Sequence, residues 1–231
     1  MAKLKKQVLG RVSGALGDMV FREVNGKNVV GMRPSNINIP GDPESIARRA
    51  KFTLSAKLSK AIIFHQDLKT IWKSKAPSGL SAHNFLIRSN YTNVLAGDLT
   101  DFVKLVPVAG FPVRYTEVTI TDHSVMVVLD VIGSNNNINK SVETHIEMLT
   151  IIFLSDPVDE TVEDYVFIST SSGNVDLSLK EVIEFTAPLI GNDELLFSKY
   201  RSNKVFSAFV TKNEAGNAIN YSNTLPLSVV P

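Results

Sequence analysis

The spacing of apolar residues changes near residue 105, dividing the chain into a helical part and a stranded part. Ile46, Ala50, Leu54, Leu58 and Ile62 recur every four residues, which places them in one stripe along an α-helix. Arg48, Arg49, Lys51, Lys57 and Lys60 fall on its other faces. Asp42 suits the N-cap, Pro43 the first helical position and Glu44 the positive end of the helix dipole. A second helix is expected over 65–75, stopping before Pro77. A third starts near Ser81 and turns Phe85, Leu86 and Tyr91 toward a core, and Gly97 closes the zone.

From 106 onward the period is two. Strands are expected over 114–121, 124–132, 143–154, 163–169, 181–185, 204–212 and 218–230. Turn-forming clusters separate them: 121–123, 133–137, 155–157, 171–174 and 213–216. Short strands at this spacing describe an antiparallel β-sandwich of the immunoglobulin-like kind.

The first forty residues belong to neither part. Asn25-Gly26 sits between apolar runs at 19–24 and 27–32, and both positions tolerate the positive φ of a type I′ hairpin turn. Apolar residues fall on both faces of this hairpin, Met19, Phe21 and Val29 against Val20, Val24 and Val30. Pro34 and Pro40 hold the next stretch extended. Such an arm has no core of its own, so it must pack on this chain or on a neighbour. The fold class is therefore α+β, with an extended basic hairpin arm over 1–40, a helical segment over 41–105 and the sandwich over 106–231.

Charge follows the same division. Residues 1–80 hold fifteen Lys and Arg against five Asp and Glu, whereas 81–231 hold nine against eighteen. A net charge of +1 conceals this polarity. A basic front and an acidic back can steer one copy onto the next. The basic surface is carried by Lys3, Lys5, Lys6, Arg11, Arg48 and Arg49, and the acidic one by Asp156, Asp159, Glu160, Glu163 and Asp164.

Signatures of chemistry are missing. There is no cysteine, which excludes disulfides, thiolate metal sites and cysteine nucleophiles. Gly10, Gly14 and Gly17 imitate a phosphate loop, but a hairpin follows them rather than a helix, and Gly26-Lys27 lacks the rest of a Walker motif. His65, His83, His123 and His145 have no metal-ligand spacing. The acidic run 156–164 lacks the alternating ligands and bend glycine of a calcium loop. No serine lies in a nucleophile elbow. Phe52 and Trp72 read as core residues rather than stacking platforms. The reading is a non-enzyme without metal or cofactor. Arg11 interrupts the only apolar run near the N-terminus and no span-length apolar stretch follows, so a cytoplasmic or virion protein without leader or membrane segment is expected.

Two resemblances add to this. The residues Gly14-Ala-Leu-Gly17, Asn25-Gly26-Lys27, Arg33-Pro34 and Arg48-Arg49-Ala-Lys-Phe52 resemble the start of a Bacteroidetes and phage family described as a domain of unknown function. That likeness covers about residues 10–60, and implies a basic arm and helix joined to a β-rich body, with phage association. Residues 205–224 resemble the closing hairpin of a fibronectin type III domain, although that family's usual tryptophan has no counterpart here.

The function expected is structural self-assembly. The arm of one copy, through Phe21, Asn25, Gly26, Lys27, Val29 and Arg33, docks head to tail on the acidic sandwich of the next. A phage head- or tail-associated component, or a filament or tubule subunit, fits this, with itself and other virion proteins as partners and no membrane. The alternative is a module that binds nucleic acid or another acidic partner through the basic surface. A carbohydrate-binding accessory role would need exposed Tyr115, Tyr165, Tyr200 or Tyr221.

Overall fold

A computed structural model of the chain describes residues 2–3, 13–24, 26–35, 39–108, 110–132, 137–179 and 181–227. The chain divides into two compact units, Met1–Ile46 and Ala47–Pro231.

The first unit is an antiparallel sheet of β1 (Ala2–Lys3), β2 (Gly14–Leu16), β3 (Met19–Val24) and β4 (Lys27–Met32), in the order β1-β4-β3-β2. The hairpin β3–β4 has the bounds expected of it, with Gly26 at φ +74° and Asn25 outside the described residues. Gly17, at φ +55°, makes a second tight turn between β2 and β3. Of the glycine run, Gly17 thus serves strand reversal, Gly14 lies within β2 and Gly10 lies outside the described residues.

Register sorts the side chains. The turn pairs Val24 with Lys27, so odd residues of β3 oppose even residues of β4. Phe21 therefore shares a face with Val30, and Val29 lies opposite Arg22. This exchanges the two valines relative to the sequence reading. One face carries Leu16, Met19, Met32, Phe21 and Val30 together with Glu23 and the buried Asn28; the other sets Val20, Val24 and Val29 among Arg22 and Lys27. No apolar side chain of this sheet is buried among the described residues, and Leu16 and Met32 are 67% and 72% exposed.

The second unit is built on two long strands, β7 (His145–Pro157) and β10 (Tyr200–Lys212), paired along most of their length. β8 (Tyr165–Asp176) flanks β7, while β11 (Ala218–Tyr221) and β12 (Leu225–Leu227) both flank β10. A smaller sheet has the order β5-β6-β9, from β5 (Tyr115–Ile120), β6 (Ser124–Leu129) and β9 (Ile183–Pro188). Two antiparallel sheets that share one apolar core are consistent with a β-sandwich.

β7 and β10 are buried on both faces. Ile146, Met148, Ile152, Val205 and Phe209 join the core shared with the small sheet. Leu149, Ile151, Phe153, Phe206, Ala208 and Val210 join a second core shared with helices. Two-sided burial explains why Leu149 and 151–154 are apolar on both faces, with only Thr150 between them. The second core is capped by α1 (Pro43–Phe64), α2 (Gln66–Lys75), α3 (Ala82–Asn90) and the loop that follows. The Ser45 N–H donates to the Asp42 carboxylate (2.9 Å), holding its pKa down and fixing the start of α1. Leu54, Leu58 and Ile62 are fully buried, but Ile46 and Ala50 are exposed, so the stripe works only from Leu54. Phe52 is likewise 55% exposed, whereas Trp72 is buried and donates its Nε1–H to the Leu105 carbonyl (2.7 Å). The helical and stranded zones of the sequence thus share one core.

Three local features depart from expectation. Residues 171–174 form a bulge inside β8: Ser172 and Gly173 both oppose Met148, whose N–H donates to the Ser172 hydroxyl (3.0 Å). The last strand breaks at Asn223 and Thr224 because those residues bond elsewhere, while Ser222 still donates its N–H to the Phe209 carbonyl of β10 (2.8 Å). Asn223 Oδ1 accepts from the Val113 N–H (3.0 Å) and Thr224 Oγ1 from the Leu105 N–H (2.9 Å). Gly110 lies so close to the Ser222 carbonyl that any Cβ would strike it. A short helix, α4 (Asn192–Phe197), interrupts the path from β9 to β10.

Candidate functional site

The acidic segment lies between β7 and β8, at the start of β8. Glu160, Glu163 and Asp164 are exposed there. The Lys57 ammonium of α1 donates to Glu163 (2.7 Å), which lowers the Glu163 pKa and raises that of Lys57. Lys57 also sits 4.7 Å from the centre of the Tyr165 ring. Asp156, at φ +58°, pairs with Arg201 (3.7 Å), and the Asp159 carboxylate accepts the Thr161 N–H (2.9 Å). Two of the five carboxylates proposed for docking are therefore paired within the chain, and a third holds its own turn.

Beside this segment a cleft of about 460 Å³ runs between α1 and β8. Lys57, Lys60 and Phe64 form one wall, Asp193 of α4 stands on another, and Tyr165 to Ser169 of β8 form the floor. Successive side chains of a strand point to opposite faces. Five consecutive residues can line one cleft only if it follows the backbone edge of the strand. β8 is the terminal strand of its sheet. The Ser169 hydroxyl donates to the Ala61 carbonyl (3.1 Å), and the Thr170 hydroxyl to the Pro188 carbonyl (2.6 Å), so the open edge ends there. Burial raises the Asp193 pKa.

On the N-terminal sheet, Phe21 and Val29 are half-buried on opposite faces, while Gly26, Lys27 and Arg33 are exposed. Arg48 and Arg49 are exposed on the first turns of α1. Lys3 pairs with Val29 through its backbone. Lys5, Lys6, Arg11 and Asn25 lie outside the described residues.

The histidines are dispersed: His83 bonds Ser59 (2.9 Å), His123 bonds Glu194 (3.0 Å), which raises its pKa, and His145 bonds Thr144 (2.8 Å). No group of three metal-ligating side chains occurs among the described residues, nor any helix long and apolar enough to cross a membrane. Tyr200 is buried and Tyr165 packs on Phe153 and Phe167, which removes both as platforms for a sugar.

One cluster escapes sequence reading. Lys212 of β10 contacts Glu147 of β7 and Asp67 of α2 (2.7 Å to Asp67), almost out of solvent. Burial works against the Lys212 charge, but hydrogen bonds to Asp67 and Glu147 outweigh it and the pKa rises. His65 lies beside them, its pKa depressed by burial and its Nε2 without a hydrogen-bond partner. The members are scattered over 65–212, so no local pattern marks them. The group ties α2 to the large sheet.

No family model, curated protein or solved structure matches this chain.

Proposed function

We propose that this protein is a structural subunit that assembles head to tail, the N-terminal sheet of one copy docking on the acidic body of the next. The observation that carries this is a four-stranded sheet with a largely apolar face and no buried apolar side chain among the described residues. Sheets of this size need a covered hydrophobic face to persist. Its charge supports the direction of docking: residues 1–40 hold seven basic and two acidic side chains, against nine and eighteen in 81–231. Head-to-tail contacts are heterologous and close into a ring or propagate as a filament or shell. A phage virion component or a tubule subunit is the role this fits.

Light scattering of the full chain at low and high salt tests the reading, beside a variant lacking residues 1–40. Large assemblies that shrink with salt, and a folded monomer after truncation, are expected; an unchanged mass in the truncated protein overturns it. Arg22 and Lys27 on one face of the sheet favour a second reading, in which the same surface holds nucleic acid. That reading requires salt-sensitive retention of mixed-sequence DNA, lost when Lys3, Lys5, Lys6 and Arg11 are neutralised.

A further inference from the structure

We infer that the cleft between α1 and β8 receives strand β2 of a second copy, which adds to β8 and continues the large sheet from one subunit into the next. This rests on the head-to-tail reading and assigns both halves of its contact.

The receiving half is an unpaired strand edge. Residues 165–169 line the cleft consecutively, and five residues of strand span roughly 17 Å. Unsatisfied N–H and C=O groups on such an edge are a template for another strand. Beyond it the strand is engaged, through Ser169 with α1 and Thr170 with β9. The site therefore takes a short strand.

The inserting half matches in length, shape and charge. β2 is three residues long and lies at one end of its sheet, with one edge unpaired among the described residues. Gly14 and Ala15 are small enough to pass between α1 and α4, and Leu16 is the one large side chain. Val166 offers Leu16 an apolar neighbour on one face of the edge, while the exposed Phe64 on the cleft wall and Phe167 cover the inserted strand from the other face. Glu163 and Asp193 balance Lys57 and Lys60 on the cleft lining, Lys57 is already engaged by Glu163, and the exposed Glu160 and Asp164 of the adjoining acidic segment tip the balance toward carboxylate. The excess of carboxylate attracts a strand delivered on a basic arm.

The absence of cysteine gives a clean test by crosslinking. Leu16→Cys protein is mixed with Val166→Cys protein and, in parallel, with Ile219→Cys protein, whose cysteine lies on the opposite edge of the sheet. After mild oxidation at low salt, a disulfide between copies is expected for the first mixture and not for the second. Phe64→Glu, at an exposed position, should raise the concentration needed for half-assembly roughly tenfold while leaving the circular dichroism unchanged. Assemblies that form without a Leu16–Val166 crosslink, or that join Leu16 to Ile219, overturn the cleft assignment and leave head-to-tail assembly standing. A crosslink within single chains of the Leu16→Cys, Val166→Cys double variant also overturns it, since the strand then docks on its own body. Failure of the unmodified chain to assemble at all removes the underlying reading instead.

Discussion

The N-terminal sheet and the body's large sheet use the same antiparallel ladder to opposite effect. In β7 and β10 the side chains enter one of two cores, and Phe153, Phe206 and Phe209 are almost fully buried. In β2, β3 and β4 the apolar side chains stay exposed or half-covered. A backbone hydrogen bond adds about 0.5–1.5 kcal/mol net, whereas a fully buried large apolar side chain contributes about 1.5–3 kcal/mol. The ladder gives each sheet its shape, and the covering layer gives it its stability. The body carries that layer on both faces of its central strands, and the N-terminal sheet offers an apolar face.

The largest effect expected of a single change follows from this contrast. Phe209 packs edge-on against Phe185 (5.0 Å between centroids) with no exposure, so Phe209→Ala should cost about 3–5 kcal/mol in urea unfolding. Phe21→Ala in the N-terminal sheet should leave the body's midpoint unchanged. An equal loss from both would end the distinction between the two units. Next comes Lys212→Met, which strands Glu147 and Asp67 without their cation. Breaking a buried pair by removing one member costs about 3–5 kcal/mol, and the partial exposure of Asp67 places this variant at the lower end. Gly110→Ala should cost about 1–3 kcal/mol by forcing a Cβ against the Ser222 carbonyl.

Acid offers a gentler probe of the same body. Burial depresses the His65 pKa below the ordinary histidine value of about 6.5. Below that value the unfolded chain binds a proton that the folded chain resists, so stability is full above about pH 6.5 and declines as pH falls toward the folded pKa. Melting between pH 7.5 and 5 should show this decline, and His65→Phe should flatten it. A slope that survives in the variant would assign the effect to other groups.

The parts of the fold legible in sequence are those governed by local rules. Gly26 between two apolar runs set the hairpin bounds through turn chemistry, Asp42-Pro43 marked the start of α1, and alternation located β5, β6, β9 and β10 within a few residues. What failed required knowledge of a partner. The Ser171–Asn174 cluster looks like a turn because serine, glycine and asparagine favour turns, yet here the same residues supply a bulge opposite Met148. Ile46 and Ala50 continue a perfect stripe, but the sheet they would cover begins only at Leu54. The acidic segment was visible as composition; that it abuts an open strand edge, and that Lys57 and Arg201 already occupy two of its carboxylates, depends on contacts across more than 40 residues of sequence. The Lys212 cluster was hidden for the same reason.

The smallest expected effect on folding sharpens the comparison most. Lys57 and Glu163 face each other with side chains 45% and 72% exposed, so water and salt screen most of their attraction. Lys57→Ala should leave the unfolding midpoint of the body within experimental error. The same change releases Glu163 and removes one of the two lysines flanking the open edge of β8, making the cleft more acidic. If that edge receives the basic arm, Lys57→Ala should assemble at lower protein concentration than the parent chain, and the gain should vanish at high salt. A variant neutral in stability and changed in assembly separates what holds the body together from what joins one body to the next. A loss of stability without a change in assembly would place this ion pair among the interactions of the fold alone.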